Sequence, residues 1–244
     1  MSSRSAAAVL DHAITVQPVA TPTAVPRLAE PTPAPAAPAY GSPRYAYRRP
    51  LDRQQLGVLH RLLGPAKDRH VLEIGCATGE LLRHSVAERA ASARGTDINR
   101  HALLRTPAHL RGPCADAAGH LPFRGQCFDL VYALHILEHV EDPTTLLSEM
   151  ARVCRPGGCV FVATPAEPVR GAFAAFSSLR LYGHPFGGRR IHRHRLSAAS
   201  VSDLGAAIGL ETVWSALRWR PCPQHFVVMR VPETAGAQRA EDAG

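Results

Sequence analysis

A chain of 244 residues, 45% of them apolar, can bury one sizeable core. No run approaches the ~18 uninterrupted apolar residues of a membrane span. Asp11-His12 breaks the apolar run from Ala6 to Val16, which argues against a signal peptide. A cytoplasmic protein without a membrane span is therefore expected. The six cysteines (Cys76, Cys114, Cys127, Cys154, Cys159 and Cys222) form no C-x-x-C pair and sit mostly in apolar segments, so buried thiols are expected rather than disulfides or a zinc site.

The net charge of +8 is unevenly placed. Residues 51–164 are nearly balanced, with thirteen basic against twelve acidic side chains, whereas 165–197 carry six Arg against Glu167 alone. Residues 1–43, rich in Pro, Ala and Thr, lack backbone donors at many positions and read as a disordered arm. The domain is expected over 44–231, with a flexible tail at 232–244.

Within it, Asp52 is placed to cap a helix, with Gln55 in capping-box position and Leu56, Leu59, Leu62 and Leu63 on one face. Gly64-Pro65 ends that helix. His70–Ile74 reads as a buried strand, Gly75–Gly79 as a turn and Glu80–Ala91 as a helix. Ala93–Asp97 is a short strand, Arg100–Arg105 a short helix, Gly112–Asp116 a weak strand and Phe128–Ala133 a strong one. An amphipathic helix, Pro143–Cys154, precedes the turn Arg155–Gly158 and the strand Cys159–Thr164. Helix Ala198–Ile208 leads to two strands, Glu211–Trp219 and His225–Val231, whose short connection makes them antiparallel neighbours. Alternation at this spacing predicts an α/β fold with a mostly parallel, doubly wound sheet.

The turn after the first strand has the form E-x-G-x-A-x-G, from Glu73 to Gly79. Gly75 and Gly79 allow the backbone to approach a ligand at a helix N-terminus. A dinucleotide fingerprint would need glycines where Ala77 and Glu80 stand, and Glu80 would repel a pyrophosphate, so NAD is disfavoured. Asp97 ends the second strand, where a carboxylate can accept both hydroxyls of a ribose. Asp116 ends the third and can accept from an adenine amino group. The bland alternative for both is strand-end capping. Asp129 reads as structural.

Taken together with FDLVYALHILEHVEDP and RVCRPGG, this series resembles the class I S-adenosylmethionine (AdoMet)-dependent methyltransferases, in particular the small-molecule enzymes called type 11. The resemblance covers about residues 51–231. It implies a Rossmann-like seven-stranded sheet of order 3-2-1-4-5-7-6, strand 7 antiparallel, with helices on both faces. AdoMet contacts are implied at Glu73, Gly75, Ala77, Gly79, Asp97, Ile98, Asp116, Ala117, Leu134 and His135. Ala77 stands where the family's first motif has its middle glycine.

His135 to His139 spells H-x-x-E-H, a zinc signature of metallopeptidases. Within a methyltransferase series the segment reads otherwise, and no metal is expected. His139 is expected as a cleft or core residue, with a general base as the candidate catalytic role. Methyl transfer from a sulfonium is an in-line displacement whose main requirement is alignment. The expected acceptor is a small molecule, anionic or lipid-like. Nucleic-acid methyltransferases are the alternative because of the Arg excess, but neither their (Asp/Asn)-Pro-Pro-aromatic motif nor a cleft cysteine is present. A non-catalytic AdoMet-binding module and an oxidoreductase are further alternatives. Residues 165–197 should cap the substrate side, with aromatics over an acceptor body and Arg189 and Arg190 as anion anchors. The oligomeric state is not legible.

Overall fold

The computed structural model describes residues 52–115, 119–166, 192–219 and 223–233. The expected arm, most of the cap and the end of the tail lie outside them. Helix α1 (Arg53–Leu63) begins where expected: Asp52 accepts from the backbone N–H of Gln54 at 2.8 Å and of Gln55 at 3.4 Å. Such a cap is worth about 1 kcal/mol. Gln55, however, does not close a capping box. Its side chain is buried and donates to Gln224 Oε1 at 2.9 Å. A buried amide must find a partner inside, and the partner here comes from the last strand.

Among the described residues, six strands form one sheet of order β2-β1-β3-β4-β6-β5. They are β1 (His70–Ile74), β2 (Ser92–Thr96), β3 (Phe128–Leu134), β4 (Cys154–Pro165), β5 (Glu211–Arg218) and β6 (Gln224–Arg230). β2, β1, β3 and β4 are parallel, and β6 is antiparallel to both β4 and β5. This is the expected Rossmann-like arrangement, with no regular strand among the described residues 112–115 of the expected 112–116. There the chain makes a single parallel bridge, Gly95 to Arg111. Beyond it the register slips: Ala115 rather than Cys114 donates to the Asp97 carbonyl, at 3.2 Å, so a regular ladder does not continue.

Two other elements differ from expectation. The segment after Gly79 forms a wide π turn at Leu82–Val86 and a 3-10 turn at Ala87–Arg89 instead of one α-helix. The wide turn lets Leu81, Leu82 and Val86 all face the core. β4 starts at Cys154, and the expected Arg155–Gly158 turn is a bulge within it: Phe128 pairs with Cys154 but Leu130 with Cys159.

Successive strand residues point to opposite faces and build two cores. A short helix, α2 (Arg100–Leu103), follows β2, and Val131, Ala133, Val160 and Val162 pack with helices α3 (Pro143–Val153) and α4 (Ala198–Ala207). Leu130, Tyr132, Phe161 and Ala163 pack with α1 and the turns after Gly79. Both faces of β3 and β4 are therefore covered, which explains their near-continuous apolar runs. Asp129 is structural, as expected: it accepts from the His70 N–H at 2.7 Å and pairs with Arg155 at 2.8 Å. The thiols of Cys76 and Cys154 are buried and free, and burial pushes that of Cys154 up to about 12. Cys114 departs from the expected burial and is exposed.

A third polar anchor ties α3 to the loop before β3. Glu149 accepts from Leu121 N–H at 3.0 Å and from Arg152 at 2.5 and 2.8 Å, while Arg152 also donates to the Leu121 and Phe123 carbonyls. The Arg152 hydrogen bonds, outweighing burial and aided by Leu121 N–H and His120, hold the Glu149 carboxyl down at about 2, against an ordinary 4.5. A depressed carboxylate stabilises the fold above its unfolded value and loses that contribution as pH falls through the folded one. Urea midpoints should therefore drop as pH falls from 4.5 toward 2. Glu149→Gln should be less stable at neutral pH and show a flatter decline across that window; equal slopes for the two proteins would refute this account.

Candidate active site

The carboxyl ends of β1, β2 and β3 converge on one edge of the sheet, the place where ligands bind in open α/β folds. After β1 the chain turns through Gly75 (φ +72°) and Gly79 (φ +73°). A Cβ on Gly75 would lie 2.1 Å from Ile136 Cδ1, and one on Gly79 would lie 2.6 Å from Thr106 Cγ2. Glycine at these positions thus satisfies both a left-handed backbone and close approach of two neighbouring segments. Gly75 and Cys76 N–H both donate to the Thr96 carbonyl, at 2.8 and 3.1 Å, which ties the turn to the end of β2.

Asp97 completes that tie. One carboxylate oxygen accepts from Ala77 N–H at 2.8 Å and the other from Asn99 N–H at 2.7 Å. A carboxylate at such a strand end is the kind of group that accepts the hydroxyls of a ribose. Ile98 follows with an unusually exposed apolar side chain, 40% accessible. Five residues expected on the cofactor, Gly75, Ala77, Gly79, Asp97 and Ile98, are thereby brought together at the ends of β1 and β2. The arrangement fits a nucleoside-bearing cofactor: open backbone, a carboxylate at the end of β2 and an apolar shelf beside it. Asp116 and Ala117 lie outside the described residues, as do Arg189 and Arg190.

Glu73 sits deeper than a direct contact would require. It is fully buried and accepts from the Tyr132 hydroxyl at 3.1 Å. Leu134 is buried at the end of β3. His135 then adopts a left-handed backbone, φ +59°, and its N–H donates to the Ala163 carbonyl at 2.8 Å. Its Nε2 lies 3.1 Å from both Gln55 Nε2 and Gln224 Oε1, and Gln224 donates to Asp52 at 2.8 Å. A buried polar chain thus joins the start of α1 to the site through β6.

On its other side His135 Nδ1 faces Glu138 Oε1 at 3.5 Å. Glu138 is buried. Burial pushes its carboxyl up, but the His135 hydrogen bond and the charges of His139, His135 and His192 outweigh that and bring it down to about 2. His139 Nε2 is 3.9 Å from Glu138 Oε1, and its ring meets that of His192 edge-on at 4.8 Å. Residues 135–139 form a turn rather than a helix. The two histidines of the H-x-x-E-H string are therefore not a helical i, i+4 pair, and His139 instead groups with His192.

Gln55, Gln224, Glu138 and His192 were not among the site residues expected from sequence. For Gln55 and Gln224 no local pattern marks them, since their partnership spans 169 positions. For Glu138 and His192 a signal existed: the glutamate of H-x-x-E-H and the histidine cluster near the end of the expected cap.

Ala77 holds a left-handed backbone, φ +49°, which costs an alanine about 1 kcal/mol relative to glycine. Ala77→Gly should accordingly leave AdoMet affinity intact and raise, or at least not lower, the unfolding midpoint. A clear drop in midpoint would mean the methyl group packs usefully and the strain account is wrong.

A family model described as a methyltransferase domain matches residues 45–215. The ubiquinone biosynthesis O-methyltransferase of Rhizobium etli is 33% identical over 147 residues, covering 56% of this chain and 59% of that protein. The chain therefore spans less than two thirds of the length of the curated relatives it matches first. Among solved structures, a putative methyltransferase from Bacillus halodurans superposes with a TM-score of 0.58 at 14% identity, covering 73% of this chain and 99% of that one. The N-methyltransferase NodS from Bradyrhizobium japonicum, solved with S-adenosyl-L-homocysteine, gives 0.53 at 20% identity, covering 74% and 87%. At these identities the solved structures speak to the fold. No helix among the described residues is long and apolar enough to cross a membrane.

Proposed function

We propose, for a chain that belongs to the class I AdoMet-dependent methyltransferases and uses AdoMet as its cofactor, that it methylates an oxygen of a small, partly apolar and anionic acceptor. The observation that carries the cofactor half is the Asp97 carboxylate bound to Ala77 N–H, which sets a ribose acceptor beside the glycine turn. The oxygen acceptor is supported by the Rhizobium relative, an O-methyltransferase by name. The anionic character is supported by the Arg excess of residues 165–197.

In this reading Asp97 accepts the ribose hydroxyls, and Gly75, Ala77 and Gly79 bring backbone against the methionine part. Ile98 supports the adenine with Asp116 and Ala117, while Leu134 and His135 close the site from the end of β3. Glu73 stiffens the turn from beneath through Tyr132. AdoMet supplies an electrophilic methyl group: the carbon–sulfur bond breaks with its pair going to sulfur, and an acceptor lone pair forms the new bond. The protein's share is alignment and exclusion of water. A proton must leave a hydroxyl acceptor, and His139, 22% exposed at the site's edge, is the residue the sequence nominates for that step.

Asp97→Ala should weaken AdoMet binding by about 2–4 kcal/mol, the worth of two charge-assisted hydrogen bonds. Asp97→Asn should fall between it and the wild type. Calorimetry on variants that keep their far-UV circular dichroism checks this, and unchanged affinity would refute the ribose assignment. Labelled AdoMet incubated with extracts reports the acceptor. With that acceptor in hand, changing both Arg189 and Arg190 to Ala should raise KM steeply and leave AdoMet affinity alone. Unchanged kinetics would exclude the anion anchor.

A further inference from the structure

Glu138, His139 and His192 form a cluster that alignment of a methyl group does not require. One ligand-capable atom from each lies within 4.8 Å of the other two. Glu138 is 1% exposed, and its Oε2 has no hydrogen-bond partner although it is buried. An ionised carboxylate oxygen left unsatisfied in the interior is unfavourable unless a cation meets it.

The two segments that bring these residues together are stitched by backbone. Arg193 and His194 N–H both donate to the Glu138 carbonyl, at 2.8 and 3.3 Å. His194 Nε2 lies 3.1 Å from the carbonyls of Val140 and Glu141, and Thr164 Oγ1 donates to the Leu196 carbonyl at 2.9 Å. His192 is thus carried to Glu138 and His139 by a clamp of backbone and side-chain hydrogen bonds. His135, the other histidine of the string, meets Gln55 and Gln224 through Nε2 and faces Glu138 Oε1 through Nδ1 at 3.5 Å, which leaves Glu138 Oε2 for a cation.

We infer that Glu138, His139 and His192 bind a divalent transition-metal ion of the zinc, cobalt or manganese kind at the acceptor side of the site. Two imidazoles and one carboxylate are the donor set such ions take, and three protein ligands leave positions open. Tetrahedral bonds of about 2.0–2.1 Å place ligand atoms roughly 3.3 Å apart, so the cluster contracts by at most about 1.5 Å on binding. Ile136 abuts the Gly75 turn, which puts this cluster beside the cofactor turn. An acceptor hydroxyl in an open position would lose its proton more readily, which removes the need for His139 as a base. That last step rests on the proposed oxygen acceptor; metal binding does not.

The test uses the full chain, freed of metal by a chelator and without acceptor. Titration with Co2+ should give visible d–d bands that saturate near one equivalent, and Zn2+ should abolish them. Glu138→Gln, His139→Ala and His192→Ala should each weaken Co2+ binding at least about tenfold, while His109→Ala, at an exposed histidine elsewhere, should not. AdoMet-induced shifts in the unfolding midpoint identify the variants that have kept the fold. Absence of saturable bands overturns the site, as does unchanged affinity in folded His192→Ala or Glu138→Gln. Full activity of the chelated enzyme on its acceptor, lost only on replacing His139, would restore His139 as a base and overturn the metal's role. Metal binding with no methyl transfer to any acceptor would instead fail the proposed function alone.

Discussion

Everything at the carboxyl edge of the sheet depends on one hydrogen bond, from Ala77 N–H to the Asp97 carboxylate. It joins two strand ends that are neighbours in space but twenty positions apart in the chain. Gly75 and Cys76 reinforce it by donating to the Thr96 carbonyl, so the turn leaves β1 already committed to the end of β2. A carboxylate offers about four acceptor sites, so one such group can order a turn and also receive a ligand. The glycine positions follow from it: Ile136 and Thr106 pack where a Cβ would otherwise stand.

The sheet makes that edge rigid. β3 and β4 are apolar on both faces, and each face has its own helical cover. Strand ends held from both sides can carry a residue such as His135 in a left-handed backbone, since the Ala163 carbonyl fixes its N–H. The cost of the strained conformation is then met by the surrounding framework rather than by the turn itself. Polar anchors extend the same logic outward. Glu149 with Arg152 holds the loop before β3, and Asp129 with Arg155 braces the β4 bulge.

The buried chain from Asp52 through Gln224 and Gln55 to His135 links three distant parts of the sequence. Each amide there can donate and accept, which suits a relay that must satisfy itself without water. Its physical effect is to fix which way His135 faces. The other ring nitrogen of His135 faces Glu138, which also neighbours His139 and His192, so the chemistry available beside the glycine turn is that of a carboxylate among imidazoles.

The sequence by itself determined the alternation of strands and helices, the antiparallel last pair, the glycine turn and the position of Asp97 at a strand end. These follow from local rules: burial period, cap chemistry and the backbone freedom of glycine, each acting over a few residues. Local pattern could not say that Gln55 would abandon its capping box for Gln224, because a buried amide's partner is chosen by what the fold places opposite it. Nor could it foresee the wide turn after Leu81, where core packing overrides the regular helical period. It showed His135 and His139 in one H-x-x-E-H string but not their partners: the folded chain makes a turn there and sets His139 against His192. Only the tertiary structure decided that partnership, since it requires residues 53 positions apart to be clamped by the hydrogen bonds between 138–141 and 193–194.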